Sequence, residues 1–123
     1  MGPSKRSNLF DGIPDKLPKE ISETLLGREG FHILRIVSQG QTTDWLTQDF
    51  NEWVVLLSGA ARISFKGESH PRRMKPGDYI FIPAGCCHRV AWTDAVKKSV
   101  WLAVHHKAAG RLTKPRVKRG LRP

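Results

Sequence analysis

The chain has 123 residues, 39% of them hydrophobic, and its 21 lysines and arginines against 11 acidic residues give a formal net charge of +10. This length is sufficient for one compact domain with a single core. The first residues are polar, and no apolar run approaches the roughly 20 residues of a membrane span. The two cysteines, Cys86 and Cys87, are neighbours and are expected to be reduced thiols. The sequence therefore predicts a cytoplasmic protein with no membrane partner.

The positive charge is concentrated at the C-terminal end. Residues 107–123 contain seven lysines and arginines and no acidic residue, which leaves a net charge of +3 for residues 1–106. Because this basic stretch also contains glycine and proline and has few apolar residues, it cannot build a core of its own. We predict a flexible leader at 1–8, one folded domain at 9–106 and a disordered tail at 107–123.

The predicted elements, taken in chain order, are almost all strands. Residues 21–26 and 31–37 are predicted to form a hairpin around a glycine-bounded turn, with a short helix over 17–26 as the alternative. Polar loops are predicted at 38–43 and 67–75, and further strands at 52–57, 60–66, 79–83, 88–92 and 100–105. Short strands at regular spacing, with a turn signal in every gap, predict an all-β barrel or sandwich with little or no helix.

A distinctive motif runs from Gly77 to His88. It consists of a glycine, five residues, Pro83, one residue, Gly85, two residues and a histidine. Pro83 ends the strand before it because proline cannot donate a ladder hydrogen bond, and Gly85 permits a sharp bend. The chain then re-enters the sheet with His88 at a strand start. This pattern resembles the second signature motif of the cupin family of small β-barrels.

The first cupin motif is matched only in part. Gly40, Glu52 and Gly59 fall at its spacings, but its two histidines are absent. Other residues stand at the two histidine positions, namely Leu46 and Gln48 under one spacing and Trp45 and Thr47 under the other. The resemblance implies an antiparallel cupin-type β-barrel of the jelly-roll type. It also implies a homodimer, since cupins commonly pair through an outer barrel face.

The period of two along a strand predicts which side chains face the interior. If Glu52 points inward, Val54 and Leu56 follow it, and the alternate apolar residues of the same strand point outward. A strand that is apolar on both faces must be covered on both, by a second sheet, by the N-terminal segment or by another subunit. On the strand that begins at His88, Trp92 is predicted to share the inward side.

The candidate site is the barrel mouth. Its predicted ligand-binding residues are Gln48, Glu52, His88 and Trp92, with Trp45 as a further wall. The resemblance implies that His88 and Glu52 would be metal ligands, with Gln48 as a tentative third ligand and His105 and Asp49 in reserve. A glutamine oxygen substitutes poorly for imidazole, so such a site would be labile. The alternative is that His88 and Glu52 form a buried, hydrogen-bonded pair.

These observations leave three hypotheses for function. The first is a small cupin that binds a small polar ligand in its barrel, with a weakly held divalent metal (zinc, iron, manganese or nickel) or none. The second is a metal-dependent cupin enzyme of the dioxygenase or isomerase type. The third is association with nucleic acid or an anionic surface through the basic tail. The fold alone does not select among them, and whether the chain is an enzyme is left open.

Overall fold

The computed structural model describes residues 2–107, and in this range all regular structure is β. Residues 2–107 contain eight strands, which are β1 (Ile21–Arg28), β2 (Phe31–Ser38), β3 (Phe50–Ser58), β4 (Ala61–Phe65), β5 (Arg72–Met74), β6 (Tyr79–Ile82), β7 (His88–Thr93) and β8 (Ser99–Lys107). They form two antiparallel sheets, of order β1-β2-β8-β3-β6 and β5-β4-β7. The predicted all-β barrel fold is confirmed. None of the described residues belongs to a helix that could cross a membrane.

The strand boundaries agree with most of the sequence predictions. The hairpin of β1 and β2 forms, and the alternative helix over 17–26 does not. The loop predicted at 67–75 is wrong in part, because Arg72–Met74 pairs with β4 as a short edge strand. The sequence of this segment shows no alternation of polar and apolar residues. An edge strand of three residues needs only one buried position, and Met74 fills it. The predicted tail, 107–123, lies outside the described residues except for Lys107.

The core lies between the two sheets. Val54 and Leu56 point inward from β3, as the period of two predicts, and are 5% and 0% exposed. The buried members of this cluster come from both sheets and are Val54, Leu56, Ala61, Ile63, Phe65, Met74, Ile82, Trp101 and Ala103. The two sheets are therefore held together mainly by removal of apolar surface from water.

The N-terminal segment covers part of the outer face of the larger sheet. Leu17 is buried there against Val37 and Val100. The buried Arg35 holds the N-terminal segment against the sheet, because its guanidinium donates to the carbonyl oxygens of Leu9 at 2.9 Å and Asp11 at 2.5 Å. The same guanidinium pairs with the carboxylate of Glu23 on β1. The sequence left open whether a second sheet, the N-terminal segment or another subunit covers the outer apolar face. At this end of the sheet the N-terminal segment covers it.

Candidate functional site

The barrel interior contains a cavity of ≈ 50 Å³ that is open to solvent on the side of Glu20. Most of its wall is apolar, and its lining residues are Glu20, Ile36, Glu52, Val54, Ile63, Ile82, His88, Val90 and Trp101. Three of these side chains are ionisable, two carboxylates and one imidazole. A volume of this size can hold a few water molecules or a ligand of a few heavy atoms.

Glu52 and His88 face each other across the cavity although they are distant in sequence. Glu52 lies on β3, where its register partners are His105 on one side and Ile82 on the other. His88 is the first residue of β7 in the opposite sheet. Glu52 Oε1 lies 3.9 Å from His88 Nε2, and both residues are buried. The structure therefore brings together the two residues on which the predicted site depends.

The tautomer of His88 follows from its hydrogen bond. His88 Nδ1 lies 2.9 Å from the carbonyl oxygen of Cys86, and because a carbonyl only accepts, Nδ1 carries the proton. In the neutral ring, Nε2 is then left with a lone pair directed toward the cavity. The sharp bend at Gly85, with φ of 81°, places the Cys86 carbonyl where it can fix the ring.

His105 contacts Glu52 from the neighbouring strand. Its Nε2 donates to Glu52 Oε2 at 2.9 Å. The His105 ring also packs against Phe50, with ring centroids 4.4 Å apart. His105 was predicted as a reserve metal ligand, whereas here it positions one oxygen of Glu52 and leaves the other facing His88. The polar row thus runs from His88 through Glu52 to His105.

Glu20 is a cavity residue that the sequence reasoning missed. It directly precedes β1, and its carboxyl group borders the cavity while part of the side chain stays exposed. Burial raises the pKa of the Glu20 carboxyl above its usual value, and the nearby Glu52 carboxylate raises that pKa further. No local pattern marks Glu20, because only the packing of β1 on the barrel brings it to the cavity.

The remaining predicted site residues do not line the cavity. Gln48 is partly buried, and its Oε1 is shielded from solvent with no hydrogen-bond partner among residues 2–107. Asp49 is exposed. Trp45 is 44% exposed, and Lys66 Nζ lies over its ring at 5.2 Å from the centroid. Trp45 therefore belongs to the outer surface.

The prediction that Trp92 lines the pocket is wrong. Along β7, Val90 pairs with Ile63 and Trp92 with Arg62, so the register shifts by one residue at Ala91. Such a bulge reverses the facing of every residue that follows it. Trp92 consequently points out of the barrel beside Arg62 and is 39% exposed. Period-two reasoning holds only for an unbroken ladder, and nothing local in the sequence reveals the bulge.

The donor set of the cavity does not fit a typical metal centre. A protein site for a first-row metal usually provides at least three ligands. No cluster of three or more histidine, cysteine, aspartate or glutamate side chains in residues 2–107 has the geometry to hold a metal ion. His88 Nε2 and Glu52 Oε1 are two donors, and the second oxygen of Glu52 is occupied by His105. A stably held metal is therefore not supported by these residues.

Comparison with protein-family models decides the family. The model of the cupin domain matches residues 33–105. The chain belongs to the cupin superfamily. This match spans β2 to β8, including Glu52, His88 and His105, and it confirms the resemblance found in the two sequence motifs. No match is found among curated proteins.

Three solved structures share the fold of this cupin. A putative mannose-6-phosphate isomerase from Ralstonia eutropha JMP134 is 46% identical, with a TM-score of 0.82, and the match covers 85% of this chain and 100% of that one. A conserved protein of unknown function from Streptococcus pyogenes is 25% identical, with a TM-score of 0.70 and coverages of 89% and 93%. A cupin superfamily protein from Desulfitobacterium hafniense DCB-2 is 17% identical, with a TM-score of 0.69 and coverages of 85% and 94%. The last similarity concerns the fold alone.

Proposed function

We propose that this cupin binds a small polar ligand inside its barrel, between Glu52 and His88. The observation that supports the proposal is the buried carboxylate–imidazole pair, 3.9 Å apart, at the wall of a largely apolar cavity of ≈ 50 Å³. Ligand sites commonly combine such an apolar wall with a few convergent polar groups. Since 3.9 Å is longer than a hydrogen bond, each group keeps unused hydrogen-bonding capacity toward a ligand.

The hydrogen bonds around the pair indicate the chemistry of the ligand. Glu52 Oε1 accepts, and because His88 Nδ1 donates to the Cys86 carbonyl oxygen, Nε2 is the ring nitrogen that carries the lone pair whenever the ring holds one proton. Two acceptors favour a ligand with two O–H or N–H donors, such as a small alcohol, diol or amine. The apolar wall, which includes Val54 and Trp101, suits a short carbon skeleton. A cavity of ≈ 50 Å³ suits one end of a sugar phosphate, with the rest of such a molecule lying outside it.

A second candidate function is enzymatic proton transfer of the isomerase type. Two cavity carboxyls differ in environment: burial favours the protonated form of Glu20, whereas Glu52 accepts a hydrogen bond from His105. A pair of this kind can supply one acid and one base. The 46% identity to the Ralstonia eutropha protein supports this candidate, since aldose–ketose isomerisation moves a proton next to a carbonyl. In this cupin Glu52 would take the proton and Glu20 would donate one.

Binding can be tested by calorimetric titration of small diols, amines and hydroxy acids into the wild-type protein and two variants. Glu52→Gln replaces a charged acceptor by a neutral amide of equal size, and His88→Gln removes the imidazole. We expect each to weaken binding of any ligand found by at least about tenfold, because hydrogen bonds to charged or buried groups are worth about 1.5–3 kcal/mol. Glu29→Gln, at an exposed position, is the matched control.

Zinc, iron, manganese and nickel are titrated in the same series, because the sequence predicted a weakly held metal. Unchanged ligand affinity in both Glu52→Gln and His88→Gln, with circular dichroism showing an intact fold, would place binding elsewhere.

Proton transfer has a separate measurement, which is exchange of substrate C–H hydrogen in deuterium oxide with mannose 6-phosphate and smaller hydroxy-carbonyl compounds. Exchange that persists in Glu52→Gln would contradict Glu52 as the base.

A further inference from the structure

The outer face of the three-stranded sheet carries a row of cationic and aromatic side chains. Arg62 on β4 is the register partner of Arg73 on β5 and of Trp92 on β7, so the three side chains lie beside one another. The Arg62 guanidinium lies over the Trp92 ring, 5.1 Å from its centroid. All three residues are exposed. The β7 bulge creates this row, because it turns Trp92 out of the barrel.

A second row of the same kind lies next to the first. Arg89 on β7 pairs with Ser64 on β4 and lies over the exposed Trp45 ring, 5.8 Å from its centroid. Lys66 approaches the same ring at 5.2 Å. Ser64 and Arg62 are two residues apart on β4, so the rows are separated by about 7 Å along the strand. Each row thus presents one exposed tryptophan flanked by cations.

These cations have no carboxylate partners in the described part of the chain. No acidic oxygen of residues 2–107 lies within 4.0 Å of Arg62, Arg73, Arg89 or Lys66. By contrast, the neighbouring Arg72 pairs with Glu68 at 2.6 Å. Like charges directly opposite each other on a sheet are destabilising, so the Arg62–Arg73 pair costs stability, which the Trp92 ring under Arg62 offsets only in part.

A cleft of ≈ 400 Å³ opens along the first row. Its lining residues are Ala60, Ala61, Arg62, Arg73, Met74, Lys75, Asp78 and Trp92. Asp78 is the single acid among them, and it is already engaged by the backbone amide of Lys75 at 2.9 Å and by Lys75 Nζ at 3.3 Å. The cleft therefore combines positive charge with an exposed aromatic wall.

We propose that this face, formed by Arg62, Arg73, Arg89, Trp45 and Trp92, binds single-stranded nucleic acid. Cations that follow a backbone and aromatic rings on which bases stack are the two features by which proteins hold single strands. A duplex would not present its base faces to the tryptophans. A free phosphate would contact the arginines, and the tryptophan rings would then only support the cations that lie over them. The face lies outside the barrel, so binding there is independent of Glu52 and His88.

The test is fluorescence anisotropy with labelled 12-mers of uridine, of thymidine and of an abasic backbone of equal charge, on the full chain. We expect the wild-type protein to bind both base-containing strands more tightly than the abasic one. The double variant R62A/R73A should lose at least about tenfold in affinity and show a smaller dependence of log Kd on log salt. Trp92→Ala should lose about tenfold for the base-containing strands only. The two strand types distinguish RNA from DNA as the source.

The basic residues outside this face provide the control. The double variant K16A/R28A removes two exposed cations near the other sheet and should change the affinity less than twofold. Equal affinity of R62A/R73A and K16A/R28A would overturn the proposal, because the sheet face would then add only to net charge. Equal binding of abasic and base-containing strands would also overturn it. A third outcome would also overturn the proposal. In that outcome the protein binds vesicles that contain anionic lipid, this binding depends on Arg62 and Trp92, and the oligonucleotides do not bind.

Discussion

At the scale of single residues, Glu52 is the centre of the candidate site. One carboxylate oxygen accepts from His105, and the other faces His88 Nε2 at 3.9 Å. The sequence predicted that Glu52 and His88 would meet, from the spacing of two turn-bounded motifs. The sequence could not predict that Glu20, which directly precedes β1, borders the same cavity.

Glu20 gives a prediction for the pH dependence of stability. Because the folded state raises the pKa of its carboxyl above the usual value of 4.5, the unfolded chain releases this proton at a lower pH than the folded chain does. Glu20 therefore has no effect on stability well below pH 4.5, and it destabilises the fold increasingly as the pH rises through the folded-state pKa. We expect Glu20→Gln to be more stable than the wild type at neutral pH and to lose this advantage in acid.

Urea denaturation of both proteins between about pH 4 and about pH 7 measures this difference. The effect will be small, since the side chain is partly exposed and solvent screens it. Glu29→Gln, at an exposed position, is the control and should follow the wild-type curve. A difference between Glu20→Gln and the wild type that does not grow with pH would contradict the assignment.

At the scale of elements, the turn between β3 and β4 is where the chain passes from one sheet to the other. Gly59 has a φ of 88° there, and a Cβ atom at this position would collide with Ser99 Oγ and lie 2.5 Å from Ser99 Cα. Ser99 also holds the turn, because its Oγ donates to the Ala60 carbonyl oxygen at 3.1 Å. The motif glycine therefore permits both the backbone angle and the contact with β8.

We predict that Gly59→Ala destabilises the protein by more than about 3 kcal/mol, since the left-handed backbone and the clash with backbone atoms of β8 both contribute. Gly67→Ala is the matched control, because Gly67 has a φ of 91° and a Cβ atom added there would meet no heavy atom within 4 Å. It should cost only the backbone part, about 1–2 kcal/mol. Equal losses in chemical denaturation would show that the contact with Ser99 contributes nothing.

At the scale of the whole molecule, the outer face of the larger sheet is only partly covered. The N-terminal segment protects the end near Val37, whereas the other end presents apolar side chains at Trp53, Val55, Tyr79, Phe81, Leu102 and Val104. Tyr79 is 65% exposed, and its ring lies 5.4 Å from that of Trp53. Apolar faces of this kind commonly mark association surfaces.

The homodimer implied by the cupin resemblance remains a prediction, and this face is where we expect it. Tyr79→Arg would place an unpaired charge in the interface, so the dissociation constant should rise at least about tenfold. Sedimentation equilibrium of the wild type and the variant measures this. Val96→Arg, at a loop position that is 86% exposed, is the control and should not change association. A wild-type protein that stays monomeric at high concentration would contradict the prediction.

The sequence by itself determined the fold, because the features that encode it are local. Glycines such as Gly59 and Gly85 mark the reversals of the chain, and the alternation around Val54 and Leu56 assigns the inner face of β3. That Glu52 lies opposite His88 was implied by the resemblance of the two motifs to the cupin pattern, because no local feature reports on the distance between residues of different sheets.

Only the tertiary structure decided which side chains line the barrel cavity and which lie on the outer face of the three-stranded sheet. The bulge at Ala91 moves Trp92 from the cavity to the outer face, where it joins Arg62. Packing of β1 on the barrel brings Glu20 to the cavity wall, and the register of β3 and β8 places His105 beside Glu52. These outcomes depend on pairing between segments far apart in the chain, and a shift of one residue in such pairing reverses a side chain without leaving any mark on the local sequence.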